Sequence, residues 1–121
     1  MTNFLYILIS HFIADFLLQS SDMAQNKSKS NYWLSVHVLY YAIGCIPLVL
    51  YYSYCRIMQP NDILAFSAIN LILHFIIDYF TSRLNSKLWQ AKEIHWFFVS
   101  IGFDQLLHYS CLFVTFEYFK I

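Results

Sequence analysis

Charged residues are scarce in this sequence. They make up 12% of its 121 residues, about half of the roughly 25% that is usual in soluble domains. The formal net charge is zero, so no basic excess indicates a nucleic-acid partner. With hydrophobic residues at 60% and aromatic residues at 21%, the composition indicates a small integral membrane protein.

Glycine, proline and cysteine are also few. Two glycines and two prolines leave no Pro-, Gly- or Ser-rich linker, so we predict one domain over residues 1–121. Cys45, Cys55 and Cys111 are widely spaced and form no CxxC pair, which argues against a disulfide framework and a thiolate zinc site. The N-terminus carries neither a basic region nor a small-residue cleavage motif, so we expect no removable signal peptide.

Four apolar stretches follow one another along the chain. A helix needs about 20 residues to cross a bilayer, a length that the second and fourth stretches exceed, the third approaches and the first falls short of. We therefore predict an all-α fold, a bundle of four transmembrane helices. The stretches are 3–18, 33–54, 63–80 and 96–116.

Basic residues are divided unequally between the two sides of this predicted bundle. Loops 19–31 and 81–93 lie on one side and hold most of them, whereas the other side holds Arg56 and Lys120. The positive-inside rule then places both basic loops in the cytoplasm and both termini outside it. The basic residues of the two loops are Lys27, Lys29, Arg83, Lys87 and Lys92.

A short motif occurs twice in the apolar stretches, as HFIADF beginning at His11 and as HFIIDY beginning at His74. Each copy places a histidine and an aspartate four residues apart, on one helix face. A second pair of motifs follows in the same order, HVLYYAIG from His37 and HWFFVSIG from His95. We interpret the pattern as a duplicated helical hairpin, a parallel repeat that brings the first and third helices face to face.

The two halves of this predicted repeat are not identical. They cover about 1–54 and 63–119, and the second half adds Asp104 and His108, again four residues apart, where the first half has apolar residues. A site built between the halves is therefore predicted to be asymmetric.

Three aspartates inside apolar helices need a partner. Each carboxylate at the bilayer centre costs about 2.5–3.5 kcal/mol, and no Lys or Arg lies inside an apolar stretch. Histidines, protons or a bound cation remain. Imidazole with carboxylate suits zinc, manganese, iron or nickel, so we predict one or two divalent metal ions, with zinc and manganese first. The aspartates are Asp15, Asp78 and Asp104.

We predict a role for each polar side chain on these helix faces from its position. The predicted metal ligands are His11, His74, Asp78 and Asp104, and the predicted catalytic residues, as ligands or general acid and base, are Asp15 and His108. Side chains that extend these polar helix faces or lie nearer the cytoplasm are predicted to contact the metal ligands from outside or to act as outer ligands. They are His37, His95, Asn70, Gln19 and Gln105. Arg83, beside the end of the third helix, is the predicted contact for an anionic head group.

Four segments in this order, HFIADFLLQ, MAQNK, HFIIDYFTSRL and GFDQLLH, resemble a small bacterial and phage family of four-helix membrane proteins classed as a domain of unknown function. The resemblance covers nearly the whole chain and implies a location in the cytoplasmic (inner) membrane of a bacterium. More distantly, the intramembrane His and Asp pattern is similar to that of membrane-bound metal-dependent hydrolases. That likeness implies a phospholipase-like or phosphodiesterase-like metal site.

We therefore expect a membrane-embedded metal-dependent hydrolase that acts on a lipid or lipid-linked (phospho)ester at the cytoplasmic face. Membrane lipid is the expected partner, and a homodimer is a possible assembly. Two alternatives stay open. Paired histidines, His11 with His74 or His37 with His95, could ligate haem b in a redox carrier. The His/Asp ladder could instead conduct protons or ions without catalysis.

Overall fold

The chain folds almost entirely into helices. A computed structural model describes residues 2–121, and all the regular elements within them are helical. A short π-helical segment follows the first α-helix directly. The elements are α1 (Thr2–Phe12), the π-helical segment (Ile13–Leu17), α2 (Ser21–Asn26), α3 (Asn31–Gly44), α4 (Ile46–Tyr54), α5 (Pro60–Gln90) and α6 (Ile94–Phe119).

Three helical stretches are long and apolar enough to cross a membrane. They are α3 continued by α4 with 24 residues, α5 with 31 residues and α6 with 26 residues. The first apolar segment, Asn3–Leu17, is shorter than these. The chain is therefore an all-helical protein with the features of a membrane protein, while a fourth crossing stays a prediction.

The distribution of polarity is the reverse of that in a soluble domain. Large apolar side chains such as Leu50, Leu64 and Phe80 are more than 60% exposed, whereas ionisable side chains such as His37 and Asp78 are buried. Lipid tails can cover an apolar surface at no cost, and polar groups within a bilayer must find their partners inside the protein. The bundle is therefore suited to a lipid environment.

α5 is longer than the sequence predicted. The prediction of a loop over 81–93 is wrong for most of that range, because α5 continues to Gln90. α5 spans 31 residues, about 46 Å at 1.5 Å per residue. This part of the chain lacks glycine and proline, and residues 81–90 include the good helix formers Arg83, Leu84, Lys87 and Leu88. A turn over 91–93, with Lys92 at a φ of 59°, leads into α6.

An apolar core fills the end of the bundle at which both chain termini lie. It joins α1, α4, α5 and α6, and it is closed by hydrogen bonds from the Tyr52 hydroxyl to Asn3 O at 2.9 Å and from Ile121 N to Ile57 O at 3.0 Å. Close van der Waals packing of this kind holds helices together where lipid removes the hydrophobic drive. The core residues are Ile7, Leu48, Tyr52, Met58, Ile63, Phe66, Leu112 and Phe116.

The π-helical segment packs closely against the end of α3. A Cβ atom on Gly44 would come within 2.7 Å of Ala14 Cβ and 2.8 Å of Leu18 Cδ1, so only glycine allows the two backbones to approach this far. Gly102, which occupies the corresponding place in the repeated motif, has nothing within 4 Å of such an atom. Because Asp15 follows Ala14 in the π-helical segment, this contact also determines the position of an ionisable side chain.

Gly44→Ala is expected to destabilise the fold, and Gly102→Ala is its matched control. Forcing a methyl group into a filled contact typically costs about 1–3 kcal/mol, whereas replacing glycine by alanine at an open helical position gains up to about 1 kcal/mol. The melting temperature in detergent, followed by circular dichroism, should therefore fall for Gly44→Ala and hold or rise for Gly102→Ala. Equal melting temperatures would contradict the close approach.

Candidate metal centre

Seven ionisable side chains meet in the interior of the bundle, and all of them are buried. α1 with its π-helical segment supplies two, α3 one, α5 two and α6 two. The four-residue spacing within three of these elements places a histidine and an aspartate on the same inward face. The side chains are His11, Asp15, His37, His74, Asp78, Asp104 and His108.

Four of these side chains form a first ligand set, made of Asp15, His37, His74 and Asp78, whose ligand atoms all lie within 4.8 Å of one another. His37 Nε2 lies 3.1 Å from an oxygen of each aspartate and 3.2 Å from His74 Nε2. His74 Nε2 lies 3.5 and 3.8 Å from the same two oxygens. Ligands around a tetrahedral zinc ion stand about 3.3–3.6 Å apart. The separations therefore fit the coordination shell of one ion.

Hydrogen bonding alone does not satisfy the atoms of the first set. His37 Nε2 has two carboxylate oxygens and His74 Nε2 near it, and a ring nitrogen carries at most one proton to share among them. Asp15 Oδ1 makes no hydrogen bond of acceptable geometry within the described residues, although His37 Nε2 is 3.1 Å away. Several acceptors that point at a common centre are the arrangement that a cation requires.

A second ligand set lies beside the first and shares Asp15 with it. Asp15, Asp104 and His108 each offer an atom within 4.8 Å of the others. Asp78 also faces both sets, because its Oδ2 atom lies 3.1 Å from His37 Nε2 and its Oδ1 atom lies 3.1 Å from His108 Nε2. Two-metal sites hold their ions about 3.5–4 Å apart. The geometry can therefore hold one ion, or two ions between shared carboxylates.

Lys27 reaches the first ligand set from the segment that follows α2. Its Nζ atom lies 2.8 Å from Asp78 Oδ2. Burial lowers the pKa of Lys27, but the carboxylates of Asp78 and Asp15 raise it by more, so the pKa lies above its ordinary value. The side chain therefore stays an ammonium ion, and it compensates one of the buried negative charges.

Two polar side chains fix the carboxylates of the second set. Gln105 Nε2 donates to Asp15 Oδ2 at 3.2 Å and to Asp104 Oδ2 at 3.0 Å. The Thr81 hydroxyl donates to Asp104 Oδ1. Hydrogen bonds of this kind orient metal-binding carboxylates, so Gln105 and Thr81 are suited to hold the set in place.

His11 lies at the edge of the cluster, outside both ligand sets. Its Nδ1 atom is 3.1 Å from the Tyr41 hydroxyl, and its Nε2 atom is 3.2 Å from Gln105 Oε1 and 3.6 Å from Asp15 Oδ2. Sequence reasoning predicted His11 as a ligand and His37 as an outer residue. The structure places His37 in the first ligand set and His11 against Gln105, where it can orient the amide.

The remaining predicted residues lie further from the ligand sets. Asn70 donates to Thr115 Oγ1 at 2.8 Å, on the side of the cluster that faces the apolar core. His95 is exposed near the start of α6, although His37, its counterpart in the repeated motif, is fully buried. The two histidines therefore have different surroundings, and His95 is not brought to the cluster.

Arg83 is engaged in contacts between helices. Its guanidinium donates to Asn31 Oδ1 at 2.8 Å and to Tyr79 O at 2.8 Å, and it stacks on the Tyr79 ring at 3.7 Å. These contacts tie α5 to the start of α3. The side chain that we predicted to bind a head group is thus already committed to other partners.

An open cleft of about 880 Å³ reaches two carboxylates of the ligand sets, Asp15 and Asp104. Asp15, Asp104 and Gln105 form its inner end, and Gln19, another predicted outer residue, lies on its wall. The cleft lies between the segment that follows α1 and the facing ends of α5 and α6. A ligand could therefore reach the carboxylates from the side of the bundle that carries the basic loops.

Sequence reasoning missed Lys27 and Tyr41. Lys27 lies in a polar loop, and its contact with Asp78 joins residues 51 positions apart, so its only sign was its place in the MAQNK segment. The Tyr41 ring stacks on the His74 ring at 4.0 Å. A usable sign was its position four residues after His37, on the same face of α3.

The fold and the cluster together define a class of protein, a helical membrane protein whose buried His/Asp groups could hold a divalent metal ion. The chain belongs to the family described as "Protein of unknown function (DUF3307)", whose model matches residues 3–121. This match confirms the resemblance to a family classed as a domain of unknown function. No match to the chain is found among curated proteins or among solved structures.

His37→Ala is expected to remove bound metal, and His95→Ala is its matched control. Loss of even an outer-shell partner typically weakens metal binding about 10–100-fold, and His37 is one of four residues in the first set. Elemental analysis after purification without chelator should find stoichiometric metal in the unaltered chain and in His95→Ala, and much less in His37→Ala. An unaltered chain without stoichiometric metal would contradict the metal centre.

Proposed function

We propose that this protein is a membrane-embedded metal-dependent hydrolase that acts on a lipid or lipid-linked (phospho)ester at the cytoplasmic face. One observation carries the proposal. Asp15, which both ligand sets share, and Asp104 of the second set line an open cleft, so that a substrate in the cleft reaches two of the carboxylates that would hold the ions. Catalytic metal sites differ from purely structural ones in keeping such an open position.

Divalent ions held by these sets would supply a water of pKa about 7 and would polarise the oxygen of the bond to be cleaved. Asp104 lies at the inner end of the cleft and His108 lies 3.5 Å behind it. Because His108 faces Asp104 through Nε2, which would hold an ion in the second set, the group that would accept a proton from a bound water is a carboxylate of the set, such as Asp104. Gln105 keeps Asp104 and Asp15 oriented during this transfer.

The arrangement favours hydrolysis over proton conduction. A conducting path needs polar groups from one side of the membrane to the other. Here the polar cluster is followed by a core of residues such as Leu48, Phe66 and Leu112, and the small cavity on that side of His11 is lined mainly by apolar residues. The polar groups are thus accessible from one side, as an enzyme site requires.

We also propose that the cleft faces the cytoplasm of a bacterial cell and that both termini lie on the other side of the inner membrane. Lys27, Lys29, Lys87 and Lys92 all lie at the cleft end of the bundle, together with Arg83. An excess of basic residues marks the cytoplasmic side of a membrane protein. Membrane lipid would then enter the cleft from the inner leaflet.

The proposal includes a fourth crossing and a duplicated hairpin. The His11 and His74 rings lie 6.0 Å apart, so the two copies of the first motif face each other as a parallel repeat requires. α1 with its π-helical segment covers residues 2–17, about 24 Å at 1.5 Å per residue. A crossing this short is accommodated by local thinning of the bilayer.

Asp15→Asn is expected to abolish hydrolysis while keeping the size of the side chain. Asp15 is the residue common to both ligand sets, and metal polarisation contributes several kcal/mol to such reactions, so the rate should fall by at least about 100-fold. The measurement is product release from a bacterial lipid extract in detergent micelles, followed by mass spectrometry, with metal-loaded protein.

Two controls accompany this assay. The exposed His95→Asn variant should retain the rate of the unaltered chain, and addition of a chelator should suppress it. A metal-loaded chain that leaves every lipid of the extract intact would contradict the proposed function.

A further inference from the structure

The cleft has a basic side formed by the segment between α2 and α3. Lys27 and Lys29 both line it. This segment is held in place, because Met23 of α2 is buried and its N–H donates to the Ser20 hydroxyl at 3.3 Å. Lys27 contacts Asp78 at the inner end, whereas Lys29 is exposed nearer the entrance. Two ammonium groups therefore stand at different depths along one path to the ligand sets.

We propose that the ligand of this cleft is an amphiphile with a phosphate-ester head group, and that the exposed Lys29 binds the phosphate. This inference rests on the proposed function and names its substrate class. Lysine is a common phosphate binder that acts as a point charge. Lys29 thus takes the role that sequence reasoning gave to Arg83, whose guanidinium contacts Asn31 and Tyr79.

Charge balance favours a phosphate over a neutral ester. The ligand sets contain three aspartates, and Lys27 compensates one of them. Two divalent ions would bring four positive charges and leave two in excess inside a bundle of low dielectric, where uncompensated charge is costly. A phosphate dianion removes this excess, whereas an acyl ester brings no charge. The inference therefore goes together with two ions in the site.

The opposite side of the cleft suits an apolar chain. It is formed by exposed or half-buried apolar side chains of α5, α6 and the π-helical segment, and the ring centroids of Trp89 and Phe97 lie 5.0 Å apart. A volume of about 880 Å³ lies near the upper end of the usual range for small-molecule sites, enough for a head group and part of a chain. The apolar residues are Phe16, Trp89, Phe97, Phe98 and Ile101.

Polar atoms along the cleft are without partners, which is a second and independent sign of a ligand. Gln19 Oε1, Ser82 Oγ and Asn85 Oδ1 are buried and make no hydrogen bond within residues 2–121, and all three residues line the cleft. Buried polar atoms in folded proteins are nearly always paired. The Ser82 hydroxyl can donate to a phosphate oxygen, and the amide oxygens of Gln19 and Asn85 can accept from hydroxyl groups of a head group.

The test is a calorimetric titration of the metal-loaded chain in maltoside micelles with dodecyl phosphate, inorganic phosphate and dodecanol. Dodecyl phosphate should bind at least about tenfold more tightly than either of the others, because only it fills both sides of the cleft. Lys29→Gln should weaken its binding about tenfold, since a charged contact is lost. Lys87→Gln, on α5 at the same end of the bundle but outside the cleft lining, should bind like the unaltered chain.

Two outcomes would overturn the inference. If Lys29→Gln and the unaltered chain bind dodecyl phosphate with equal affinity, Lys29 does not bind the phosphate. If the unaltered chain binds dodecyl phosphate and inorganic phosphate with equal affinity, the ligand is not an amphiphile. Elemental analysis and the lipid assay separate this failure from that of the proposed function. A chain that holds two ions and hydrolyses lipid, but is indifferent to Lys29→Gln, would refute this inference alone, and a chain without metal would refute both.

Discussion

The neutralisation of three buried carboxylates is the constraint on which the structure depends. Asp15, Asp78 and Asp104 lie inside an apolar bundle, where an unpaired charge costs about 2.5–3.5 kcal/mol by insertion scales. Contacts with neighbouring side chains offset part of this cost. Lys27 is brought in from a loop, and Gln105 bridges two of the carboxylates. Because these contacts still leave acceptors facing one another, the same constraint points to a bound cation.

The helix packing follows from the need to bring these groups together. The π-helical segment places Asp15 within reach of both ligand sets, and π-helical turns are rare features that frequently occur at functional sites. Gly44 lets α3 approach that segment closely, which brings His37 to the centre. The apolar core closes one end of the bundle, and the cleft opens at the other, so access to the charged centre comes from one side.

Much of the fold was predictable, because local sequence patterns indicate where helices form and which of their sides are buried. Apolar runs identified α3 with α4, α5 and α6 as candidate spans, and the four-residue spacing of His and Asp identified three of the inward faces. The end of α5 was not predictable in this way. Polar residues over 81–93 are typical of a loop, yet those over 81–90 continue α5, and several of them line the cleft. Composition alone cannot distinguish a loop from a polar helix face.

The members of the ligand sets could not all be predicted from local sequence patterns. Periodicity puts His11, His37, His74 and His108 on helix faces, but a shift of one turn, about 5.4 Å, decides which ring nitrogen meets the carboxylates. The tertiary structure places His37 in a ligand set and His11 against Gln105. The Lys27 contact spans 51 residues and depends on how a loop folds over the bundle. The sequence thus determines which side chains are present and which helix face each one occupies. The tertiary structure decides which atoms converge, because convergence depends on distances between helices that the sequence of a single helix does not specify.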